Sequence, residues 1–296
     1  MVWLVTGSSG YVSSAFSQTA RKSGYQLYGI DRMPGIFTDL VSPIEKLGSE
    51  VRRFDQPLVI VHLAAARFDF GYSASQYFQD NVTATSIFLA SLDPSDVQFF
   101  LHISSVASID GEKIDYSDHL NCDDAYRSTK FLQEQLIEKW CLKHNIDCAI
   151  LYPSAIFDNT YRDDTNIGRL QKIASFLPFI PSIEVKKSLT FLPKLVDFMN
   201  TVIAQGMTGR YLCSEYPVKS VTEILLHNRA GRFSFVVKIP RLRQLLAVLA
   251  TTVSQLTGGR FDFWLTPERV EKLFSDTSFE SVMGIDTEQY DRTRLT

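Results

Sequence analysis

Cysteine and histidine are scarce in this sequence, and neither is spaced for a metal site or a disulfide framework. The cysteines have no C-x-x-C spacing, and the five histidines are scattered along the chain. The four cysteines are Cys122, Cys141, Cys148 and Cys213. We therefore expect reduced thiols, no bound metal and a cytoplasmic location.

Strong net charge and long apolar runs are also missing. The net charge of -3 gives no bulk electrostatic case for a nucleic-acid or anionic-membrane partner. No basic residues precede the first apolar stretch, which ends after Val5, so the N-terminus does not resemble a signal peptide. The apolar region 233–256 is interrupted by Lys238, Pro240 and Arg241, and the remaining run is too short to span a bilayer. We expect a core helix there, with an interfacial helix as the alternative, and no membrane partner.

What remains is the composition of an ordinary globular protein. Hydrophobic residues make up 45% and charged residues 21% of the 296 positions. This length allows one large domain or two modest ones. We find no internal repeat or low-complexity stretch.

A glycine-rich turn follows the first apolar run, which begins at Val2 and has the length of a strand. Gly7 and Gly10 would let the backbone approach a pyrophosphate, and the helical pattern that continues through Phe16 places a helix N-terminus beside them. The spacing is Gly-x-x-Gly-x-x-Ser, ending at Ser13, and differs from the general Gly-x-Gly-x-x-Gly fingerprint. The turn predicts a phosphate site, with plain turn chemistry as the alternative.

A carboxylate ends the second predicted strand, 26–31. Asp31 lies roughly 20 residues beyond the glycine turn, where dinucleotide-binding units place the acid that binds the ribose. An acid there accepts hydrogen bonds from the ribose hydroxyls and repels a 2′-phosphate, which favours NAD over NADP. Arg32 leaves NADP open, because a guanidinium could hold the extra phosphate.

Strands and helices alternate through the first half of the chain. Apolar runs at 58–66 and 99–103 are typical of strands buried on both faces of a parallel sheet, and a helix is predicted at 75–91 between them. The pattern predicts an α/β protein with a doubly wound parallel sheet, whose ligands bind at the carboxyl ends of the strands. The candidate residues at those ends are Gly7, Asp31, Ala64, Ala65, Ala66, Ser104 and Ser105.

Tyr126 and Lys130 are spaced i, i+4 at the start of a predicted helix that runs to about residue 144. A nearby ammonium favours the phenolate of a tyrosine, which makes the pair an acid/base for a carbinol proton during hydride transfer. The Ser105 hydroxyl could hold the same oxygen. The alternative is a chance surface pair, which the preceding nucleotide-type sheet disfavours.

In their order along the chain, these motifs resemble the short-chain dehydrogenase/reductases, in the extended branch of NAD-dependent nucleotide-sugar epimerases and dehydratases. The matching segments are Thr6-Gly7-x-x-Gly10-x-x-Ser13, Asp31, Asp39-Leu40, His62-Leu63-Ala64-Ala65, Asn81-Val82-x-x-Thr85, Ile103-Ser104-Ser105, Tyr126-x-x-x-Lys130 and Leu151-Tyr152-Pro153. The resemblance covers about the first 155 residues and implies a Rossmann-type fold.

The resemblance also implies roles for individual residues. Tyr126 would be the acid/base, Lys130 would hold the nicotinamide ribose and lower the tyrosine pKa, and Ser105 would position the substrate oxygen. Asp39 and Leu40 would contact the adenine. The full set of implied cofactor contacts is Gly7, Ser9, Gly10, Tyr11, Val12, Asp31, Arg32, Asp39, Leu40, Leu63, Ala64, Ala65, Asn81, Tyr126, Lys130 and Pro153.

Three features depart from the family pattern. Ser13 replaces the third glycine, so we expect the packing of helix on strand to absorb a hydroxymethyl group. Counting from Gly111 puts the catalytic hydroxyl position on Val106, whereas counting from the serine pair puts it on Ser105, the choice that offers a hydroxyl. The Thr-Asp-Glu of sugar dehydratases is absent, which disfavours loss of water.

The second half of the chain alternates less regularly. We predict an NAD(P)-binding Rossmann domain at 1–155 and a smaller α/β region at 156–296 that is mainly substrate-binding and is interleaved with the last strands of the sheet. By resemblance, Lys187 and Arg269 are candidates for a substrate phosphate, although Lys187 could equally be a solvated lysine at a strand start.

The expected function is NAD-dependent hydride transfer on a nucleotide-linked sugar, either as a 4-epimerase or as a keto-sugar reductase. Reduction of a small non-nucleotide ketone and non-catalytic dinucleotide sensing are the alternatives. The resemblance implies a homodimer, formed through the helices around Asn81 and Tyr126.

Overall fold

The computed structural model describes residues 1–46, 56–67, 72–113, 122–158, 165–215, 217–227, 235–257, 266–278 and 285–286. The strands are β1 Val2–Thr6, β2 Gln26–Asp31, β3 Leu40–Val41, β4 Leu58–His62, β5 Val97–Ile103, β6 Asp147–Pro153, β7 Ala155–Phe157, β8 Ile180–Pro181, β9 Lys186–Lys187, β10 Leu189–Phe191, β11 Gly209–Cys213, β12 Lys219–Ser220, β13 Val236–Val237 and β14 Ile285–Asp286. The α-helices are α1 Tyr11–Lys22, α2 Ala74–Tyr77, α3 Ala84–Ser91, α4 Cys122–His144, α5 Asn166–Phe176, α6 Leu192–Gln205, α7 Val221–His227, α8 Leu242–Thr257 and α9 Pro267–Phe274.

Within these residues, eight strands form one sheet in the order β14-β11-β6-β5-β4-β1-β2-β3. Neighbouring strands are parallel except β14, which pairs antiparallel with β11. The chain moves outward from β1 to β2 and β3 and then returns to β4 on the other side of β1. This reversal is a topological switch point, where open α/β sheets bind ligands beyond the strand ends. The predicted doubly wound parallel sheet is confirmed.

Apolar sequence runs explain why these strands form the centre of the sheet. All five residues of β1 and all five of β4 are buried, as expected for strands covered by helices on both faces. Trp3 stacks on Phe16 of α1 and on Tyr25, at 5.7 and 4.1 Å between ring centroids. On the other face, Phe88 of α3 is fully buried in the main core cluster.

A π-turn, Phe78–Thr83, joins α2 to α3. The helical segment begins at a capping box: the Ser73 side chain accepts from the Gln76 N–H, and the Gln76 side chain accepts from the Ser73 N–H. A π-turn inside a helix is often found at functional sites. Asn81 and Asp80, which matter below, both lie within it.

The chain divides into two compact units. The first contains Met1–Ser154, Thr190–Cys213 and the segment with β14, and the second contains Ala155–Leu189 and Ser214–Ser281. In the second unit, β9 pairs with β12 and β8 pairs with β13. Its core is a small apolar cluster that includes Ile180, Ile183, Val221 and Leu225. Its role in substrate binding stays a prediction.

The prediction of a core helix near residue 250 is wrong for most of α8. Ala250 is buried, but Leu245, Val248 and Leu256 are 58%, 66% and 81% exposed. Among the described side chains of α8, Ala250 is buried and Leu242 packs against the small cluster around Ile180, whereas much of the apolar face is exposed. The sequence alone could not distinguish these, because apolar periodicity marks a face without showing what covers it. None of the helices within the described ranges is long and apolar enough to cross a membrane.

Candidate active site

The turn after β1 requires glycine for steric reasons. Gly7 has φ +71°, in the left-handed region, and a Cβ there would lie 2.8 Å from the Ala64 backbone nitrogen. The Gly7 N–H donates to Ile30 O at 2.9 Å, and the Gly10 N–H donates to Gly7 O at 3.0 Å. The turn is therefore hydrogen-bonded to β2 and packs closely against the segment after β4.

Ser13 is an active part of this turn. Its side chain is buried, and its hydroxyl donates to Gly7 O and also contacts Gly10 O at 3.1 Å. A glycine at position 13 could make neither contact. The packing accommodates the hydroxymethyl group, and the hydroxyl also connects the first turn of α1 to the glycine turn.

The N-terminus of α1 suits an anionic group. Gly10 is its N-cap residue and offers no side-chain cap, and no acidic residue lies in the first turn. Arg21 and Lys22 occupy the last turn, where they complement the helix dipole. First-turn N–H groups and the positive end of the dipole together favour a phosphate. These residues fit the diphosphate of a dinucleotide, and the other predicted phosphate-turn residues, Ser9, Tyr11 and Val12, lie in the same turn and first helical residues.

The Asp31 carboxylate is fixed at the end of β2 beside the glycine turn. It accepts from the Ser9 N–H at 2.9 Å and from the Met33 N–H at 2.8 Å, and the residue is 9% exposed. Two backbone donors orient the carboxylate, and the ion pairs seen among the described residues do not involve Asp31. This arrangement suits a group that accepts hydrogen bonds from a ribose.

The other residues predicted at this side already make specific contacts. The Arg32 guanidinium donates to Asp80 at 2.7 Å and to the Tyr72 hydroxyl at 3.1 Å. Asp39 forms an ion pair with Arg21 at 2.9 Å and accepts from the Gly29 N–H at 2.8 Å. Leu40 is half-buried and packs against the main core.

The segment after β4 contains the predicted residues Leu63, Ala64 and Ala65, and Asn81 fixes its end. The Asn81 side chain is fully buried, accepts from the Ala66 N–H at 2.6 Å and donates to the Thr129 hydroxyl of α4 at 3.1 Å. Asn81 therefore links the β4 segment to the helix that contains Tyr126 and Lys130. Small side chains at 64 and 65 leave the backbone of this segment open to close approach.

The two serines after β5 have different environments. Ser104 is buried, and its hydroxyl donates to the Glu134 carboxylate. Ser105 is half-buried, and its hydroxyl accepts from the Ala107 N–H at 3.2 Å. Ser104 is thus bound into the interior, whereas Ser105 lies at the accessible end of the strand.

Tyr126 and Lys130 lie one turn apart on α4. Tyr126 is half-buried, and its ring meets the Tyr77 ring edge-on at 6.2 Å. Lys130 is 2% exposed, and its ammonium donates to Gln133 Oε1 at 2.7 Å and to Ile103 O at 3.2 Å. Burial lowers the pKa of Lys130 to about 8, and the nearby Glu134 carboxylate opposes that shift. At neutral pH the group therefore remains an ammonium.

The structure adds two α4 side chains that the motif comparison missed, Gln133 and Glu134, both buried. Gln133 Nε2 donates to the Thr85 hydroxyl at 2.9 Å and to Ala64 O at 3.1 Å, so one amide joins Lys130 to the β4 segment. Glu134 accepts from the Tyr152 hydroxyl at 2.9 Å as well as from Ser104. We call this set the Lys130 network; it comprises His62, Thr85, Ser104, Lys130, Gln133, Glu134 and Tyr152.

Burial sets the protonation of the network. It raises the pKa of Glu134, although hydrogen bonds from Ser104, Ser108 and Tyr152 oppose the shift. Burial and the Lys130 charge lower the pKa of His62 to about 3, so its imidazole is neutral and can accept from Gln133 at 3.2 Å. The network therefore places the Lys130 ammonium and the Glu134 carboxyl group beside the neutral His62 imidazole.

Three further residues were predicted from the sequence to contact cofactor or substrate, and their roles, like those of the residues above, stay predictions. Pro153 is the buried last residue of β6. The Lys187 ammonium in β9 donates to Ser275 O. Arg269 lies in α9, and its side chain is outside the described residues.

Solved structures of similar fold come from sugar-nucleotide enzymes. UDP-glucose 4-epimerase of Thermus thermophilus in complex with NAD is 14% identical with a TM-score of 0.64, and the match covers 81% of this chain and 86% of that chain. UDP-glucuronic acid 4-epimerase of Bacillus cereus in complex with NAD is 21% identical, with a TM-score of 0.64 and coverage of 81% and 86%. UDP-glucose 4-epimerase of Thermotoga maritima with UDP-glucose is 14% identical, with a TM-score of 0.63 and coverage of 82% and 87%.

At these identities the likeness shows the fold. No curated protein sequence matches the chain. A family model does match, that of the NAD dependent epimerase/dehydratase family, over residues 3–173. This is more than half of the chain, and it includes the glycine turn, Asp31, Tyr126 and Lys130. The family predicted from the motifs is confirmed: the chain belongs to the NAD dependent epimerase/dehydratase family.

Proposed function

We propose that the protein is an NAD-dependent enzyme that transfers a hydride at a carbinol carbon of a nucleotide-linked sugar, as a 4-epimerase or a keto-sugar reductase. One observation carries this proposal. The glycine turn suited to a diphosphate, the oriented Asp31 carboxylate and the Tyr126–Lys130 pair occur together at the carboxyl-terminal side of the sheet. The structural neighbours named above include enzymes solved with NAD or with UDP-glucose, which supports this cofactor and substrate class.

In this proposal the residues divide the work of the reaction. NAD, held by the glycine turn and Asp31, would supply the hydride chemistry: acceptor and then donor in an epimerase, and donor alone, as NADH, in a reductase. Tyr126 takes the proton from the sugar hydroxyl and gives it back, and the Lys130 ammonium favours the phenolate that accepts it. The Ser105 hydroxyl holds the sugar oxygen and stabilises its developing charge. The glycine turn and α1 bind the diphosphate, and Asp31 accepts from the adenosine ribose.

Binding and turnover test the proposal separately. We expect the purified protein to bind NAD in calorimetric titration and to convert at least one member of a panel of UDP-, GDP- and dTDP-sugars. An epimerase yields the epimer with no net change in NADH absorbance, whereas a reductase consumes NADH.

Tyr126→Phe should abolish turnover while NAD binding remains. Unchanged turnover in Tyr126→Phe contradicts the mechanism, and NAD binding with no turnover on any sugar favours a small-ketone substrate or a sensing role.

We also propose that the protein forms a homodimer, as its resemblance to the family implies. The helices involved expose apolar side chains: Ile87 on α3 is 42% exposed and Leu142 on α4 is 84% exposed. Light scattering on the purified chain should give twice the mass of one chain, and Leu142→Glu should shift the mass toward the monomer. A monomeric wild type at micromolar concentration would rule this out.

A further inference from the structure

Arg32 directly follows Asp31, the candidate ribose-binding residue, and its side chain contacts two residues of another segment. The guanidinium lies 2.7 Å from the Asp80 carboxylate and 3.1 Å from the Tyr72 hydroxyl. Asp80 lies in the π-turn and Tyr72 immediately precedes the capping box. We call these three side chains the Arg32 clasp.

The clasp joins opposite sides of the switch point. Arg32 follows β2, whereas Asp80 and Tyr72 belong to the segment after β4, and β1 lies between β2 and β4 in the sheet. The clasp is therefore fixed beside the strand that enters the glycine turn. The clasp directs the partly solvated arginine side chain toward the residues that follow β4.

This geometry bears on which nucleotide the site accepts. A ribose 2′-phosphate needs a cation beside it, and arginine binds phosphate well because its guanidinium can form two parallel hydrogen bonds. Arg32 is the arginine next to Asp31, and its donors are directed to a carboxylate and a phenol. Arg21, the other arginine described near this side, is paired with Asp39 at 2.9 Å.

We propose that Asp80, assisted by Tyr72, determines selectivity for a dinucleotide with a free 2′-hydroxyl by holding Arg32 away from the ribose. The proposal rests on the NAD binding proposed above. Asp31 repels a 2′-phosphate, and the clasp engages the adjacent guanidinium, which could otherwise offset that repulsion. The exposed fractions of the Arg32 and Asp80 side chains, 46% and 26%, show a partly solvated ion pair that substitution can release without disrupting the core.

The test compares the affinities for NAD and NADP by calorimetric titration in the wild type and four variants of the full chain. In Asp80→Asn the arginine is released, and we expect the affinity for NADP to rise about tenfold, the effect of one added charge-assisted hydrogen bond. The affinity for NAD should change by less than about threefold, because Asp31 keeps its two backbone donors. Tyr72→Phe should shift selectivity in the same direction by a smaller factor.

Two controls isolate the role of Arg32. The double variant Arg32→Gln with Asp80→Asn should lose the gain in NADP affinity, because the released arginine is then absent. Asp197→Asn makes the same charge change at an exposed position on α6 and should leave both affinities unaltered.

The outcomes separate this inference from the proposed function. A wild type that binds neither dinucleotide contradicts the proposed function and this inference with it. A wild type that binds NAD, together with an unchanged NAD/NADP ratio in Asp80→Asn and Tyr72→Phe, leaves the function standing and overturns the inference. A gain in NADP affinity that persists in the double variant also overturns it, because Arg32 would then not be the group responsible.

Discussion

The two sides of the switch point are stabilised by different kinds of contact. The glycine turn, together with Asp31, is held mainly by backbone groups: Gly7, Gly10 and Ser9 donate their N–H groups to neighbouring carbonyl or carboxylate oxygens. The Lys130 network is held by buried side chains that come from β4, β6, α3, α4 and the residue after β5. A backbone-built site can be recognised from one contiguous motif, whereas a side-chain network depends on residues far apart in sequence.

The two sides also differ in what one substitution should do. The Arg21–Asp39 ion pair near the glycine turn has more than a third of each side chain exposed, and such pairs contribute about 0–1 kcal/mol. The Lys130 network is fully buried, where removing one partner leaves a charge or a hydroxyl without compensation. Stability should therefore respond more strongly to changes in the network than to changes in the exposed pairs.

The largest expected effect is from Glu134→Leu. The change removes the acceptor of the Tyr152 hydroxyl, leaves Ser104 with its 3.2 Å contact to Ser108, and removes the carboxyl group near Lys130. We expect the free energy of unfolding to fall by about 3–5 kcal/mol. Glu134→Gln, which keeps the shape, should lose less. Urea denaturation measures both, with Arg21→Gln as the exposed control at less than about 1 kcal/mol. A loss in Glu134→Leu no greater than that of the control would show that the network is not stabilising.

Gly7→Ala should have the next largest effect. Alanine at φ +71° costs about 1–2 kcal/mol in backbone strain, and overpacking against the Ala64 backbone adds about 1–3 kcal/mol. Gly24→Ala is the matched control, because Gly24 has φ +85° with nothing within 4 Å of a Cβ. It should show the strain alone and keep NAD affinity. Equal losses in the two variants would mean that the contact with Ala64 relaxes freely.

The pH dependence of stability should reveal the buried ammonium. Lys130 has its pKa lowered by burial from 10.5 to about 8, so between these values the unfolded chain binds the proton that the folded chain has released. The contribution of Lys130 to the free energy of unfolding therefore rises with pH from about 8 to about 10.5, by at most about 1.4 kcal/mol per pH unit. Urea denaturation of the wild type and of Lys130→Met at several pH values in this window gives two free energies of unfolding, and their difference measures the contribution of Lys130. A difference that stays constant with pH would contradict the shift.

The smallest effect is expected for Ser13→Ala. Loss of the hydroxyl contacts to Gly7 O and Gly10 O should lower the free energy of unfolding by about 1 kcal/mol. Ser14→Ala is the matched control, since the Ser14 hydroxyl has, among the described residues, a single and long contact, 3.4 Å to Ser8 O. Thermal denaturation should separate the two variants, and a Ser14 variant that is the less stable of the pair would contradict the assigned role of Ser13.

Sequence patterns could predict the parts of the site that are local. The strand run from Val2, the glycine turn, the Asp31 position and the helix from about residue 125 follow from apolar periodicity and spacing, and the sheet and the family are confirmed. Glu134 was within reach of the same reasoning, because Tyr126, Lys130 and Glu134 are each four residues apart and share one helix face.

Other parts depend on contacts that no local pattern encodes. Gln133 joins Lys130 to Ala64 across 69 positions of sequence, and Arg32 meets Asp80 across 48. The role of Ser13 depends on the direction of its hydroxyl, which only the turn geometry fixes. The exposed face of α8 was misjudged for a similar reason, since burial depends on what packs against a helix.

The π-turn has a consequence for how relatives of this chain should be aligned. Each N–H in such a turn reaches back five residues instead of four, so the turn contains one residue more than an α-helix needs. Removing that residue would restore regular helix but rotate everything beyond it by about 100° relative to α2. Asn81 could then no longer face both Ala66 and Thr129 while the Ser73 cap stayed in place. A relative with an uninterrupted helix here is therefore expected to show a one-residue gap between Tyr77 and Ala84, and such a gap would mark a different way of linking the β4 segment to α4.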